Sequence, residues 1–425
     1  MRLPIAVLIA VSQFFAGLFT GHAASAPPVD KIQHVVVLMN ENRSTDSYFA
    51  ALRQIEPAFD SEPSNASNPD PTDKTKVVKA FHQTSYCASA DLDHSWTGAH
   101  AEYDNGKMDG FTARNVDPSD PNGSRAMGYY TKDDLPFYYS LYSTYTTSDR
   151  YFSSLLGPTY PNRFYLYSAT SFGMTSNNTS TDPAQYAGKS VFNLLDAKKI
   201  SWKVYFTEIP FAALYAYVRN NAAGHLFPIS QYYADAAAGQ LPQVTFIDPG
   251  YFGTRNTESD EHPPANIQTG QLATSKIVGA LTGSPEWGSS AMFITYDEDG
   301  GFYDHVPPPA APIPDNIPAQ GGHWAFDRYG FRVPLVVVSP FARKHFVSHV
   351  VQDHTSILKF IETRYGLPSL TNRDRHADPM LGMFDFKHPP FMTAPTLASA
   401  SIDPAHAVAC QAADVTSQGL PSVEP

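Results

Sequence analysis

The sequence predicts an α/β layered fold, and two observations carry the prediction. Apolar runs of strand length recur and end in polar or acidic residues, and stretches with helical periodicity and recognisable caps lie between them. With 425 residues and a hydrophobic content of 42%, there is ample chain to bury a large core. One large domain, or at most two or three, is expected.

Four runs read as buried strands of a central sheet: residues 32–39 ahead of Glu41, 244–247 ahead of Asp248, 291–296 ahead of Asp297, and 333–338 ahead of Ser339. Helices are expected over residues 191–198 with Ser190 as N-cap, over 270–281, and over 357–365, opened by Asp353 and closed by Gly366 and Pro368. In folds of this kind ligands sit outside the carboxyl ends of strands, so the polar residues just past the apolar runs are where a site belongs. Residues 56–74, rich in Ser, Asn, Asp and Pro, and residues 306–322, with six prolines, read as long loops. The chain divides into a leader at 1–23, a catalytic domain at 24–390 and a C-terminal tail at 391–425 that lacks an apolar period.

Arg2, a mostly apolar stretch over 3–19 and small residues at Gly21, Ala23, Ala24 and Ala26 make the leader a secretory signal peptide cleaved after Ala23, with an uncleaved anchor as the alternative. No later run approaches membrane-spanning length, so an exported protein without a transmembrane anchor after processing is expected, periplasmic or extracellular. The formal charge of −12 removes the attraction that nucleic acid and anionic membranes need, and no nucleic-acid partner is expected. Cys87 and Cys410 are the two cysteines. In an oxidising compartment they form either one disulfide tying the tail to the body or two lone buried thiols. Neither lies in a CxxC pair, which gives a redox or zinc-finger reading no support.

Four constellations offer chemistry. Glu41 and Asn42, directly after the first strand, present a carboxylate and an amide oxygen suited to a hard cation. Asp297-Glu298-Asp299-Gly300-Gly301 succeeds another strand, and its glycines allow a tight turn and close approach of backbone to a ligand. In GPTYPNR at residues 157–163, prolines hold Thr159 in a fixed pose beside Asn162 and Arg163, both candidate donors to an anion. Histidines at 94, 100, 262, 305, 323 and 354 lie near acidic residues, as phosphate recognition and proton transfer require. GxSxG and HExxH are absent, which removes the commonest serine-hydrolase and metalloprotease signatures.

Taken in order, these segments resemble the bacterial phosphoesterase family that contains phosphatidylcholine-hydrolysing phospholipases C and secreted acid phosphatases. The resemblance rests on HVVVLMNENR at 34–43, DHSW at 93–96 with MDGF at 108–111, GPTYPNR at 157–163, EHPP at 261–264, TYDEDGGFYDH at 295–305, RVP at 332–334 with SPFA at 339–342, and DHTS at 353–356. It implies an alkaline-phosphatase-like three-layer α/β/α sandwich with a mostly parallel sheet, and phosphoryl transfer through a covalent phosphothreonine. On that pattern Thr159 is the nucleophile, and Glu41, Asn42, Asp297 and Glu298 hold one divalent cation together with the Thr159 oxygen. Oxygen-only ligands favour Ca²⁺, Mg²⁺ or Mn²⁺. His94 and His262 match positions beside the phosphate and are the candidates for protonating the leaving oxygen; Asn42, Arg163 and His305 complete the expected substrate contacts. If a protonated histidine acts, activity is highest on the acid side of its pKa. Longer phospholipases of the family carry further β-rich domains where here little chain remains beyond residue 390. This favours a phosphomonoesterase of acid phosphatase type, with a phospholipase C acting on a phospholipid head group as the alternative and a phosphate- or metal-binding protein without turnover as a remote one.

Overall fold

The strand expected first forms as β1, His34–Asn40, and six of its seven residues are buried because a parallel neighbour lies on each side. The structure is a computed structural model and describes residues 28–87, 91–179, 186 and 190–417; the expected leader lies outside them. On one flank β1 pairs with β6, Ser290–Tyr296, and on the other with β5, Val244–Asp248. Five more strands complete the sheet: β2 (Thr146–Ser148), β3 (Trp202–Phe206), β4 (Leu226–Pro228), β7 (Leu335–Val338) and β8 (Phe346–Ser348). The spatial order is β8-β2-β7-β6-β1-β5-β3-β4. All pairings are parallel except those of β7, which runs antiparallel to both neighbours. β7 begins two residues later than expected, just past Pro334, which has no N–H to offer a ladder.

Helices cover both faces. α4 (Thr159–Ser168), α5 (Val191–Ala197) and α8 (His354–Tyr365) pack together on one side. On the other lie α3 (Pro136–Thr144), α6 (Ile229–Ala238) and α7 (Ile267–Thr282). The alternation of β3 shows the two faces directly: Trp202 packs on Phe192 of α5, whereas Tyr205, of opposite parity, packs on Tyr232 of α6. The expected three-layer sandwich is therefore the observed one. Ser190 stands at the N-cap position of α5, but its hydroxyl donates to Asn193 Oδ1 and caps no backbone N–H.

The tail carries an element that its composition conceals, α9 at Pro404–Ser417. Pro404 suits a first helical position, Asp403 accepts from the Ala405 N–H at 2.7 Å, and the alanines beyond it are strong helix formers. Cys410 in this helix is bonded to Cys87, with Cα atoms 5.7 Å apart and a sequence separation of 323. Of the two alternatives for the cysteines, the disulfide is the one formed. Closing so long a loop constrains the unfolded chain, so Cys410→Ser is expected to lower stability by about 2 kcal/mol. Thermal melts of the two proteins with and without reductant check this: the reductant should move the parent and leave the variant where it is.

Candidate active site

The register of β1 on β6 pairs Asn40 with Tyr296, so the next residues of each strand, Glu41-Asn42 and Asp297-Glu298, leave the sheet side by side. Backbone bonds stitch the two turns together: Asn42 N–H donates to Asp297 Oδ1 at 3.1 Å and Arg43 N–H to the Glu298 carbonyl at 3.0 Å. Asn42 holds φ at +60°, a left-handed conformation that asparagine tolerates better than most residues. At Gly300 the chain comes close to itself. A methyl on Gly300, itself at φ +65°, would lie 2.5 Å from the Asn42 carbonyl oxygen.

Thr159 is the first residue of α4, and only 5% of its surface is exposed. Asn162 fixes the segment that presents it. Its Oδ1 accepts from the N–H groups of Ser154 and Leu155 at 2.8 and 3.0 Å, and its Nδ2 donates to the Gly157 carbonyl at 2.8 Å. Arg163 lies one helical turn beyond Thr159, on the same face. Its guanidinium meets Glu41 at 2.9 Å, Asp297 at 3.4 Å and Asp248 at 3.6 Å, and donates to the carbonyls of Met39 and Asn40. The expectation that Arg163 contacts substrate is thereby corrected: with 1% of its surface exposed, it balances the buried carboxylates from beneath. Asn162, likewise, spends its donors on the chain.

The carboxylates are held in a setting that disfavours their charge. Burial, with Asp297 and Asp248 adding to it against Arg163, pushes Glu41 up to about 8. Burial and then Asp297 and Asp299 raise Glu298 well above the carboxylate range, and burial pushes Asp299 up to about 7. Two oxygens of the expected ligand set, Asn42 Oδ1 and Glu298 Oε1, are buried with no hydrogen-bond partner. Unpartnered acceptors beside under-compensated carboxylates are what a hard cation satisfies, so the side chains of Glu41, Asn42, Asp297 and Glu298 have the donor chemistry such an ion takes. Two other groups among the described residues, Asp91–His94–His262 and Asp46–Asp304–His305, have ligand atoms within 4.8 Å of one another; Arg163 stands among the carboxylates of the expected set.

The ring centroids of His94 and His262 lie 5.9 Å apart. Each ring has its Nδ1 against a backbone carbonyl, of Leu92 at 2.8 Å and Pro263 at 2.6 Å, which leaves each Nε2 free for other partners. His94 Nε2 lies 3.4 Å from Asn42 Nδ2 and 3.9 Å from Glu298 Oε1. Burial works against its charge, but Asp91, Asp299 and the Leu92 carbonyl outweigh that and raise its pKa. His354 supports the site from behind: fully buried, its Nε2 lies 2.7 Å from the Asp297 carbonyl.

His305 belongs elsewhere, which corrects its expected substrate contact. Its Nδ1 is 2.6 Å from Asp46 Oδ2, and Arg332 joins Asp46 and Asp304 at 2.9 and 2.8 Å, locking the loop after β6 to α1, Thr45–Phe49. Burial disfavours the His305 cation, yet Asp46 and Asp304 prevail over Arg332 and raise its pKa. A raised folded pKa stabilises fully below the unfolded value of about 6.5 and is lost as pH rises through the folded one. His305→Asn is therefore expected to cost about 2 kcal/mol near pH 5.5 and clearly less near pH 9. Urea unfolding at both values reads this, and a gap that does not change with pH would contradict it.

Three acidic residues of the site lie outside the set expected from sequence. Asp248 carries a signal, since it ends the apolar run of β5, and Asp299 lies inside a motif whose neighbours draw the attention. Asp91, which faces His94 at 3.9 Å and His262 at 3.8 Å, succeeds no strand and carries none.

Comparisons with known proteins match most of the chain. A model described as the phosphoesterase family matches residues 32–368. Phospholipase C B of Mycobacterium tuberculosis is 34% identical over 427 residues, covering 86% of this chain and 80% of its own length. Phospholipase C A of the same organism is 31% identical with the same coverage, and non-specific phospholipase C6 of Arabidopsis thaliana is 32% identical over 81% of this chain and 71% of its own.

Proposed function

The chain belongs to the phosphoesterase family, and on that footing we propose that it is a phospholipase C that cleaves phosphatidylcholine-like phosphodiesters through a phosphothreonine at Thr159. The observation that carries the choice of diester is the set of similar proteins, named phospholipases C and matched over more than four-fifths of this chain. The monoesterase expectation depends on the shortness of the chain beyond residue 390, which is no feature of the catalytic corner. The acid phosphatase reading stays as the second one, because the same nucleophile and donors serve a monoester equally.

In this reading Glu41, Asn42, Asp297 and Glu298 hold one divalent cation, with Ca²⁺, Mg²⁺ or Mn²⁺ favoured. When bound, the ion supplies Lewis acidity that lowers the Thr159 pKa and offsets phosphoryl charge. The Thr159 oxygen attacks phosphorus as its proton passes to solvent water, and the bond to the diacylglycerol oxygen breaks; the histidine that protonates that oxygen regains its proton from solvent. His262 or His94 protonates that departing oxygen. Water then attacks the phosphothreonine, releasing phosphocholine and returning the proton to threonine. Asn42 and the two histidines contact the phosphoryl oxygens, and Arg163 acts only through the carboxylates it holds. Export to the periplasm or beyond, by way of the leader at 1–23, accompanies this activity. No helix among the described residues is long and apolar enough to cross a membrane.

Turnover of p-nitrophenyl phosphorylcholine and p-nitrophenyl phosphate by the protein loaded with each of the three cations, at several pH values, tests the reading. The diester should be the better substrate, with activity highest on the acid side and abolished by chelator. Turnover of the monoester alone would replace this reading with the acid phosphatase one, and a rate still rising above about pH 8 would remove the protonated histidine.

A further inference from the structure

We propose that the rim around this site is a membrane-facing surface that rests on a zwitterionic phospholipid bilayer, with Ile209, Phe252 and Trp324 entering the headgroup layer. The inference rests on the phospholipase C reading and adds the physical state of the substrate, lipid packed in a bilayer. Single exposed apolar side chains are ordinary on any protein. These three are large, they are 50%, 61% and 53% exposed, and they sit on three loops that leave the carboxyl ends of β3, β5 and β6, the same sheet edge as Glu41 and Asp297. The remaining three of the four tryptophans are all buried, and Phe252 is the most exposed phenylalanine among the described residues.

Each is attached to the catalytic corner by rigid contacts. Tyr251, next to Phe252, donates through its hydroxyl to Asp248 at 3.0 Å and places its ring 5.2 Å from the Arg163 guanidinium. Its N–H donates to Glu208 at 2.9 Å, which ties the loop of Ile209 to that of Phe252. Across the mouth, Trp324 stacks on His100 at 4.1 Å, and Trp96, 6.3 Å from Trp324, lies against Gly157 just ahead of Thr159. A residue inserted at either flank would therefore bring the bilayer to the nucleophile. Aromatic side chains, apolar with a polar edge, suit the interface between headgroups and acyl chains. The partner's charge follows from the net charge of −12: an anionic surface is repelled, whereas a zwitterionic one is neutral toward it. Attachment by apolar insertion also survives high salt, which screens charge but not the hydrophobic effect.

The test compares the full chain with Ile209→Ser, Phe252→Ser, Trp324→Ser and the triple variant, on phosphatidylcholine vesicles and on soluble p-nitrophenyl phosphorylcholine. Co-sedimentation with vesicles and turnover of vesicle lipid should each fall roughly tenfold per single variant and at least ~100-fold in the triple. Turnover of the soluble ester should stay within about twofold, which also verifies folding. Vesicles containing phosphatidylserine should bind no more tightly, and about 1 M salt should not release the protein. Unchanged vesicle binding in the triple variant would overturn the proposal, as would equal loss on both substrates. A shift of the triple variant from dimer to monomer with vesicle binding intact would assign the surface to a second copy instead. Failure of the parent protein on the soluble diester would sink the phospholipase C reading, while sedimentation still reports on the surface by itself.

Discussion

On the proposed phosphothreonine route, Thr159→Ala is expected to reduce phosphodiester turnover at least ~10³-fold while leaving the fold in place, since that route loses its attacking oxygen. The α4 helix starts at Thr159, which therefore stands at its free N–H groups and positive dipole end. The Asn162 side chain fastens the preceding residues 154–158 by five hydrogen bonds, so the segment that carries the hydroxyl is held before any ligand arrives. Removing one hydroxyl from the head of α4 disturbs none of those bonds, and the melting temperature should stay within a few degrees of the parent. Thr159→Ser keeps the oxygen and should retain turnover to within ~100-fold. A burst of released p-nitrophenol in the serine variant and none in the alanine variant would fit. Alanine-variant turnover near the parent level would mean that another oxygen attacks phosphorus.

Much of this site is legible in the chain because the sheet makes it so. Glu41, Asn42, Asp297 and Glu298 each come directly after a long apolar run, and buried parallel strands deliver the residues at their carboxyl ends to one edge. Spacing cannot show the direction in which a side chain leaves a helix. Arg163 reads as a donor to phosphate beside Thr159, but the turn that places the two on one face also drives the longer side chain down into the carboxylates. The prolines of GPTYPNR hide α4 itself, although Pro161 falls in the first turn, where a missing N–H costs nothing. His305 sits in a motif that begins at the active edge, yet its ring is captured by Asp46 from a segment 259 positions away in sequence. Such pairings depend on tertiary contacts that no local pattern encodes. The α9 helix escapes notice for a different reason, since its stability comes from alanine propensity and the bond to Cys87 instead of an apolar stripe.

Arg163→Met is expected to lower the stability of the cation-free protein by about 3–5 kcal/mol, because it leaves Glu41, Asp248 and Asp297 buried around an absent charge. Methionine fills most of the volume and can still pack near Tyr251 and Phe211, so the loss measures charge more than shape. The pH dependence follows from Glu41, whose folded pKa of about 8 lies above its ordinary value of 4.5. An acid with a raised folded pKa keeps its proton in the folded state, so stability falls as pH rises from the ordinary value toward the folded one. Loss of the guanidinium removes the chief influence opposing that rise, and the fall should steepen in the variant. A divalent cation held by the same oxygens, as proposed, would supply the missing positive charge. Adding Ca²⁺, Mg²⁺ or Mn²⁺ should therefore stabilise Arg163→Met by more than it stabilises the parent, with a larger shift in urea midpoint. Arg163→Lys, with one compact charge and no fork to span three carboxylates, should fall between the two. Equal stabilisation of both proteins by the cation would mean that Arg163 and the ion do not share these carboxylates, and that the metal ligands lie elsewhere.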